Sequence, residues 1–247
     1  MVEIRIYADA GELFKAAAGE FLRLAEEAVR SKGLFTVCLS GGSTPRRLYS
    51  LLGDEPEWKH RIPWGAAHFF WSDERRVPPD EPESNFRMAW ETMLSKVPVP
   101  AANIHRIPGE LPDADRAAHE YDGMLRGFFK LGEERLPRFD LALLGMGADG
   151  HTASLFPESA ALHEERRMVV SNWIERLATE RITMTAPVLN NASHVIFLVL
   201  GEEKAPALKA VLQGPRQPDR LPAQVIQPAD GSLLWLVDRH AAHLLGL

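Results

Sequence analysis

The run Gly145-Met146-Gly147-Ala148-Asp149-Gly150-His151-Thr152 places a carboxylate two residues before an imidazole, directly after the apolar stretch Phe139 to Leu144. A histidine beside a carboxylate is the arrangement of a general base and the group that orients it, able to take a proton from water near neutral pH. Most lone histidines are structural. This one sits in a polar, glycine-rich turn at a strand end, which leaves the structural and the catalytic reading evenly open. The same residues spell G-x-G-x-x-G, but a dinucleotide-binding turn also requires an acid about 20 residues on, closing the next strand. Met168-Val169-Val170 ends in Ser171, with no suitably placed acid before Glu175, so that reading is rejected.

Two further loops carry polar groups. In Ser40-Gly41-Gly42-Ser43-Thr44-Pro45, paired glycines let the backbone approach an anion, and Ser43 and Thr44 add hydroxyl donors. Pro45 suits the first turn of a helix, whose N-terminal amides favour negative charge. No Gly-Lys-Ser/Thr follows, so a single sugar phosphate fits better than a nucleoside triphosphate. Trp71-Ser72-Asp73-Glu74-Arg75-Arg76-Val77-Pro78 sets two acids and two arginines after a second apolar run. Arg75 or Arg76 could meet a phosphate or a developing oxyanion, and Asp73 could accept a proton; the plainer alternative is a solvated charge run. Arg181 and Lys204 are two more cations at strand ends, each a weak signal alone because most such side chains are simply solvated.

Something must hold these loops together, and the chain alternates strand and helix throughout. Strands are expected at Val2 to Tyr7, Phe35 to Leu39, Ala67 to Trp71, Ile104 to Ile107, Phe139 to Leu144, Met168 to Ser171, Arg181 to Thr185, Val195 to Leu200 and Leu233 to Val237. Asp9, with Glu12 three residues on, predicts a capped helix to about Arg30, ended by Gly33. Other helices are expected from Pro45, from near Ser84, over Asp113 to Leu131, Lys204 to Leu212 and Arg239 to Leu245. This alternation predicts an α/β fold, a doubly wound and mostly parallel sheet with helices on both faces, in one domain over 1–247. Ligands of such sheets gather at the carboxyl ends of the strands. That rule puts Ser40–Thr44, Ser72–Val77 and Gly145–Thr152 on one rim.

Composition narrows the classes further. Of the 247 residues 45% are hydrophobic and 25% charged, so a core can form without metals or disulfides. The net charge of −6 is spread along the chain with no basic patch, which argues against nucleic acid as a partner. No stretch approaches the ~18 apolar residues of a membrane span. Cys38 is the only cysteine and lies in an apolar strand, where a buried hydrophobe is expected rather than a nucleophile. A reducing cytoplasm is the expected compartment.

Taken together, Ser-Gly-Gly-Ser-Thr-Pro at 40–45, Trp-Ser-Asp-Glu-Arg-Arg-Val-Pro at 71–78 with Ser84-Asn85, and Gly-Met-Gly-Ala-Asp-Gly-His-Thr-Ala-Ser-Leu-Phe-Pro at 145–157 are specific. With Glu180 to Thr185 and Gly201 to Lys204 in the same order, the chain resembles the glucosamine-6-phosphate isomerase/6-phosphogluconolactonase family, on its lactonase side. The deaminases of that family carry Glu five residues after the Asp-Gly-His histidine and prefer Asp-Glu-Tyr at the second loop; here stand Phe156 and Asp73-Glu74-Arg75. The resemblance implies hydrolysis of a small sugar-phosphate lactone, with no cofactor and no metal, by a monomer or small homo-oligomer. It implies His151 as the base, Asp149 as its partner and Arg75 with backbone amides near Gly147 at the oxyanion. It implies Gly41, Gly42, Ser43 and Thr44, with the charges of Arg181 and Lys204, at the phosphate, and Asp73 at a sugar hydroxyl or water. A non-catalytic sugar-phosphate sensor is the alternative of another class; it has little use for the Asp149/His151 pair.

Overall fold

The computed structural model describes residues 2–246. The first strand, β1 (Val2–Tyr7), leads into α1 (Ala10–Lys32), which starts where the Asp9 side chain accepts the Glu12 N–H at 3.0 Å. The Glu12 carboxylate reaches back to the Ala8 N–H at 3.1 Å, one residue further than a capping box reaches. Gly33, at φ 81°, turns the chain out of the helix and donates its N–H to Val29. There follow β2 (Phe35–Leu39), α2 (Ser43–Asp54), α3 (Pro56–Lys59), β3 (Ala67–Trp71), β4 (Asp73–Arg75) and α4 (Asn85–Thr92). After these come β5 (Ile104–His105), α5 (Ala114–Phe129), β6 (Leu141–Gly145), β7 (Val169–Ile174) and β8 (Thr179–Met184). The chain finishes with α6 (Ala186–Asn190), β9 (His194–Val199), α7 (Ala205–Gln213), β10 (Ser232–Asp238) and α8 (Arg239–Ala242).

Seven strands form one parallel sheet in the order β1-β10-β9-β6-β2-β3-β5. Its central strands are buried along their length, as strands covered on both faces must be. Successive side chains point to opposite faces. Phe35 packs edge-on against Phe21 of α1 at 5.3 Å, while Phe70 packs against Phe128 of α5 at 5.1 Å. In register Phe35 aligns with Ala67 and Val37 with Phe69, so Phe35 and Phe70 face opposite ways and α1 and α5 cover opposite faces. Cys38 is fully buried within β2, where burial raises its thiol well above the usual range, as a core residue and not a nucleophile.

From β2 the chain winds outward to β3 and β5; from β6 it winds the other way to β9 and β10. The direction reverses at the β2–β6 seam, where only Val37–Leu141 and Cys38–Ala142 are in register. Such a reversal opens a crevice at the carboxyl ends of the two strands. The Ser40 hydroxyl spans it by donating to the Leu143 carbonyl.

Two of the expected strands do not join this sheet. β7 and β8 form a hairpin through the short turn 175–178, and β8 pairs antiparallel with β4, giving a second sheet β4-β8-β7. β4 was expected as loop, but Ser72 connects it straight out of β3. The Ser72 N–H donates to Leu39 at 2.8 Å and its carbonyl accepts the Met184 N–H at 2.7 Å, so one residue belongs to both layers.

Candidate active site

The crevice at the seam is a cleft of about 220 Å³. It draws its walls from all three loops: Ser40 to Pro45, Asp73 with Arg75, and Gly145 to Gly147 with His151; Lys204 closes another side.

The third loop holds the acid and base in fixed geometry. Asp149 Oδ1 lies 2.5 Å from His151 Nδ1 and also accepts the His151 backbone N–H at 3.1 Å. A carboxylate can only accept, so Nδ1 carries a proton, and in the neutral ring the lone pair is on Nε2. Burial opposes ionisation of Asp149, but the hydrogen bonds from His151 and the Arg176 guanidinium beside it outweigh burial and hold the carboxyl far below its ordinary range. The turn closes on itself, Gly147 N–H to His151 O at 2.8 Å and Gly150 N–H to Gly147 O at 3.0 Å. A Cβ at Gly147 would stand 2.0 Å from His151 Nδ1, so only glycine leaves the dyad its space. No helix follows this loop before the short turn Ala160–His163, and the G-x-G-x-x-G run therefore lacks the helix that dinucleotide binding needs.

The first loop presents backbone. Gly42 adopts φ 104°, and α2 begins at Ser43, two residues before Pro45, with no side chain capping its first amides. Gly41 is pressed against Asn85, whose Oδ1 would be 1.8 Å from an added Cβ. Asn85 in turn donates to the Asp73 carbonyl at 2.9 Å, tying the first loop to the second.

Alternation along β4 divides the two acids. Asp73 faces the cleft and accepts from Ser72 Oγ at 3.1 Å and Ser154 Oγ at 2.7 Å. Glu74 points the other way and is not solvated: it receives the N–H groups of Asn85, Phe86 and Arg75 at 2.7, 2.8 and 2.8 Å and Ser84 Oγ at 3.1 Å. Burial pushes its carboxyl up in spite of these donors. Three of these donors, from Ser84, Asn85 and Phe86, lie at the start of α4, so Glu74 fixes that helix to β4. Arg75 lines the cleft, donates to the Glu83 carbonyl at 3.0 Å and has a buried Nε without a protein partner. Arg76 leaves the cleft for Glu180 at 3.1 Å.

Lys204 joins the cleft; Arg181 does not line it. Arg181 stands opposite Arg75 in the β4–β8 register, and its Nη1 donates to Thr179 Oγ1 at 3.3 Å. Burial and the adjacent charge of Arg75 both pull its pKa down. Three contributors are not among the site residues expected from the sequence, although Ser154 and Phe156 lie in the 145–157 motif; Arg176 has no signal of its own. Ser154 is held by Thr183 of β8 and Asn172 of β7. Phe156 stacks on His151 with centroids 4.1 Å apart, and Arg176 bonds Asp149. Among the described residues, no three side chains of His, Cys, Asp or Glu converge as metal ligands, and no helix is long and apolar enough to cross a membrane.

The chain's likeness to known proteins covers all of these elements. A family model described as glucosamine-6-phosphate isomerases/6-phosphogluconolactonase matches residues 8–235. A 6-phosphogluconolactonase of Synechocystis is 41% identical over 219 residues, spanning 89% of this chain and 88% of its own. The structure of a 6-phosphogluconolactonase from Trypanosoma cruzi superposes with a TM-score of 0.87 at 29% identity, covering 100% of this chain and 98% of that one. A monomeric glucosamine-6-phosphate deaminase shares the fold alone, with a TM-score of 0.82 at 19% identity over 98% of this chain and 99% of its own. The chain belongs to the family of glucosamine-6-phosphate isomerases and 6-phosphogluconolactonases.

Proposed function

We propose that this chain hydrolyses 6-phospho-D-glucono-1,5-lactone to 6-phospho-D-gluconate, the second step of the oxidative pentose phosphate pathway. The observation that carries the reading is the convergence of an oriented Asp149–His151 dyad, a glycine-rich anion loop and the Arg75 guanidinium on one cleft. His151 Nε2 takes a proton from water as the water oxygen attacks C1, and the carbonyl electrons move onto oxygen. Arg75, with backbone amides near Gly147, stabilises that oxyanion; donors already aimed at a developing charge are worth several kcal/mol in comparable sites, roughly 3 each. Collapse breaks the bond from C1 to the ring oxygen, which recovers the proton from His151 and leaves as a hydroxyl. Asp149 keeps the imidazole in the productive tautomer throughout.

The 6-phosphate rests on Gly41, Gly42, Ser43 and Thr44, where uncapped amides of α2 and the charge of Lys204 favour an anion. Arg181 adds charge from behind Arg75 rather than by contact. Asp73 takes a sugar hydroxyl or a water. Phe156 against the imidazole counts against the deaminase reaction, which calls for a second proton carrier at that position. The partner is a small molecule in the cytoplasm, with neither nucleic acid nor membrane surface required, and one domain of a monomer or small homo-oligomer carries the site.

The test is the rate of 6-phosphogluconate formation from freshly made lactone, coupled to NADP-dependent 6-phosphogluconate dehydrogenase, for wild type and His151→Ala. Acceleration over the spontaneous rate by wild type alone supports reaction and base together. Near-normal turnover by His151→Ala removes the base assignment, and no acceleration by wild type removes the function.

A further inference from the structure

Asp149 has two oxygens and they are divided. Oδ1 serves His151, while Oδ2 accepts from Nη2 of Arg176, in the turn that joins β7 to β8. The same guanidinium lies over the Phe156 ring, Cζ 4.9 Å from its centroid. The other neighbour of Phe156 is the imidazole, 4.1 Å away and inclined by 18°. The four side chains therefore close a ring: His151 to Asp149, Asp149 to Arg176, Arg176 to Phe156, Phe156 to His151.

On the reading that His151 is the base, we infer that Arg176 is a positioning residue, locking the Asp149 carboxylate and, through Phe156, the imidazole plane in the orientation that aims Nε2 into the cleft. With only Oδ1 engaged, the carboxylate could pivot about its own bond and the imidazole would follow it. Anchoring Oδ2 removes that freedom. Stacking alone would let the rings slide, and the ion pair alone would leave the imidazole free to swing; the closed ring stops both.

The location of Arg176 sets the size of the effect. Its side chain is 51% exposed, so the ion pair contributes little to folding. It does not line the cleft, so substrate affinity should not depend on it. The loss should fall on turnover, where misplacement of a base by a fraction of an ångström is felt.

Arg176→Gln should lower kcat about five- to tenfold, with KM, the affinity for 6-phosphogluconate and the melting temperature near wild type. Arg176→Lys, which restores the charge but not the flat stack, should recover part of the loss. In an Asp149→Asn background the same Arg176→Gln change should cost less than about twofold, because its target is gone. By proton NMR, the downfield Nδ1–H resonance of His151 should broaden in Arg176→Gln and sharpen again in Arg176→Lys. A kcat within about twofold of wild type, an equal loss in the Asp149→Asn background, or an unaltered resonance each overturns the inference. If wild type fails to open the lactone, the function falls separately, and the resonance still decides whether Arg176 holds the dyad.

Discussion

Gly147→Ala tests the site most sharply, because the substitution adds one methyl group and removes no polar atom of the mechanism. The added Cβ would lie 2.0 Å from His151 Nδ1, 2.2 Å from its Cε1 and 2.5 Å from Asp149 Oδ1. Unstrained contact with carbon needs about 3.5 Å, so the imidazole must retreat by roughly 1.5 Å. Retreat breaks the 2.5 Å hydrogen bond to Asp149 and withdraws Nε2 from the cleft. A misplacement of about 1 Å at a reacting group costs on the order of 100-fold, and Gly147→Ala should lose at least that in kcat. Gly147 lies in the turn that follows β6, at the carboxyl rim of the sheet and outside the apolar core, so thermal unfolding should show most of the fold's stability intact. Gly123→Ala in α5, where a Cβ meets nothing within 4 Å, is the control expected to keep the full rate. The coupled lactone assay decides. A Gly147→Ala rate within about threefold of wild type would mean that the dyad tolerates displacement and that the geometric argument for it is unsound.

Three other expectations follow from neighbouring contacts. Lys204→Ala should raise KM about tenfold with kcat little changed, as removal of a charge that binds without reacting must do; a fall in kcat at constant KM would move Lys204 into the chemistry. Glu74→Ala strands four donors, three of them at the start of α4, and should destabilise the protein by about 2–4 kcal/mol in denaturant titrations, whereas a change under about 0.5 kcal/mol would show that water replaces the carboxylate. His105, held down at about 4 by burial and then by the nearby His68, stays neutral in the folded chain where an unfolded imidazole protonates near 6.5. The unfolded chain then binds more protons between those values, so this contribution is complete above pH 6.5 and is lost as pH falls toward 4. His105 is only half-buried, which limits the loss to about 1–2 kcal/mol. His105→Phe, entering a stack already shared with Phe70 at 4.5 Å, should flatten the slope of melting temperature against pH, and an unchanged slope would assign it to other groups.

Much of this was legible in the residues. Phe35 to Leu39 and Ala67 to Trp71 have as strands the bounds their mainly apolar runs give them, and Val2 to Tyr7 has the bounds of its alternation, as an edge strand left partly in solvent can carry Glu3 and Arg5. The three loops meet because glycine and polar residues after such strands have only one rim to occupy. β4 was hidden: Asp73-Glu74-Arg75 has the composition of a surface turn, and only pairing with β8, more than a hundred residues away, makes it a strand. For the same reason no local pattern says that Glu74 caps α4 while Asp73 faces the cleft. Arg176 lies in a short turn without periodicity, and its contacts depend on where a hairpin folds over a distant loop.

The ladder order has a consequence for synthesis. β1 is made before every other strand of its sheet, yet its sole neighbour there is β10, made after all the others. While the ribosome works through the intervening two hundred or so residues, residues 2–7 can hold no native place, and Val2 and Ile6 remain apolar groups on an unpaired strand. The half of the sheet containing β2, β3 and β5 can assemble early, but the sheet closes only when residues 232–238 have emerged. Domains generally fold as units once their chain is available, and strands joined over such distances fold slowly. A nascent chain stalled before residue 232 would thus present residues 2–7 unpaired to chaperones, and synthesis through residue 238 would conceal them.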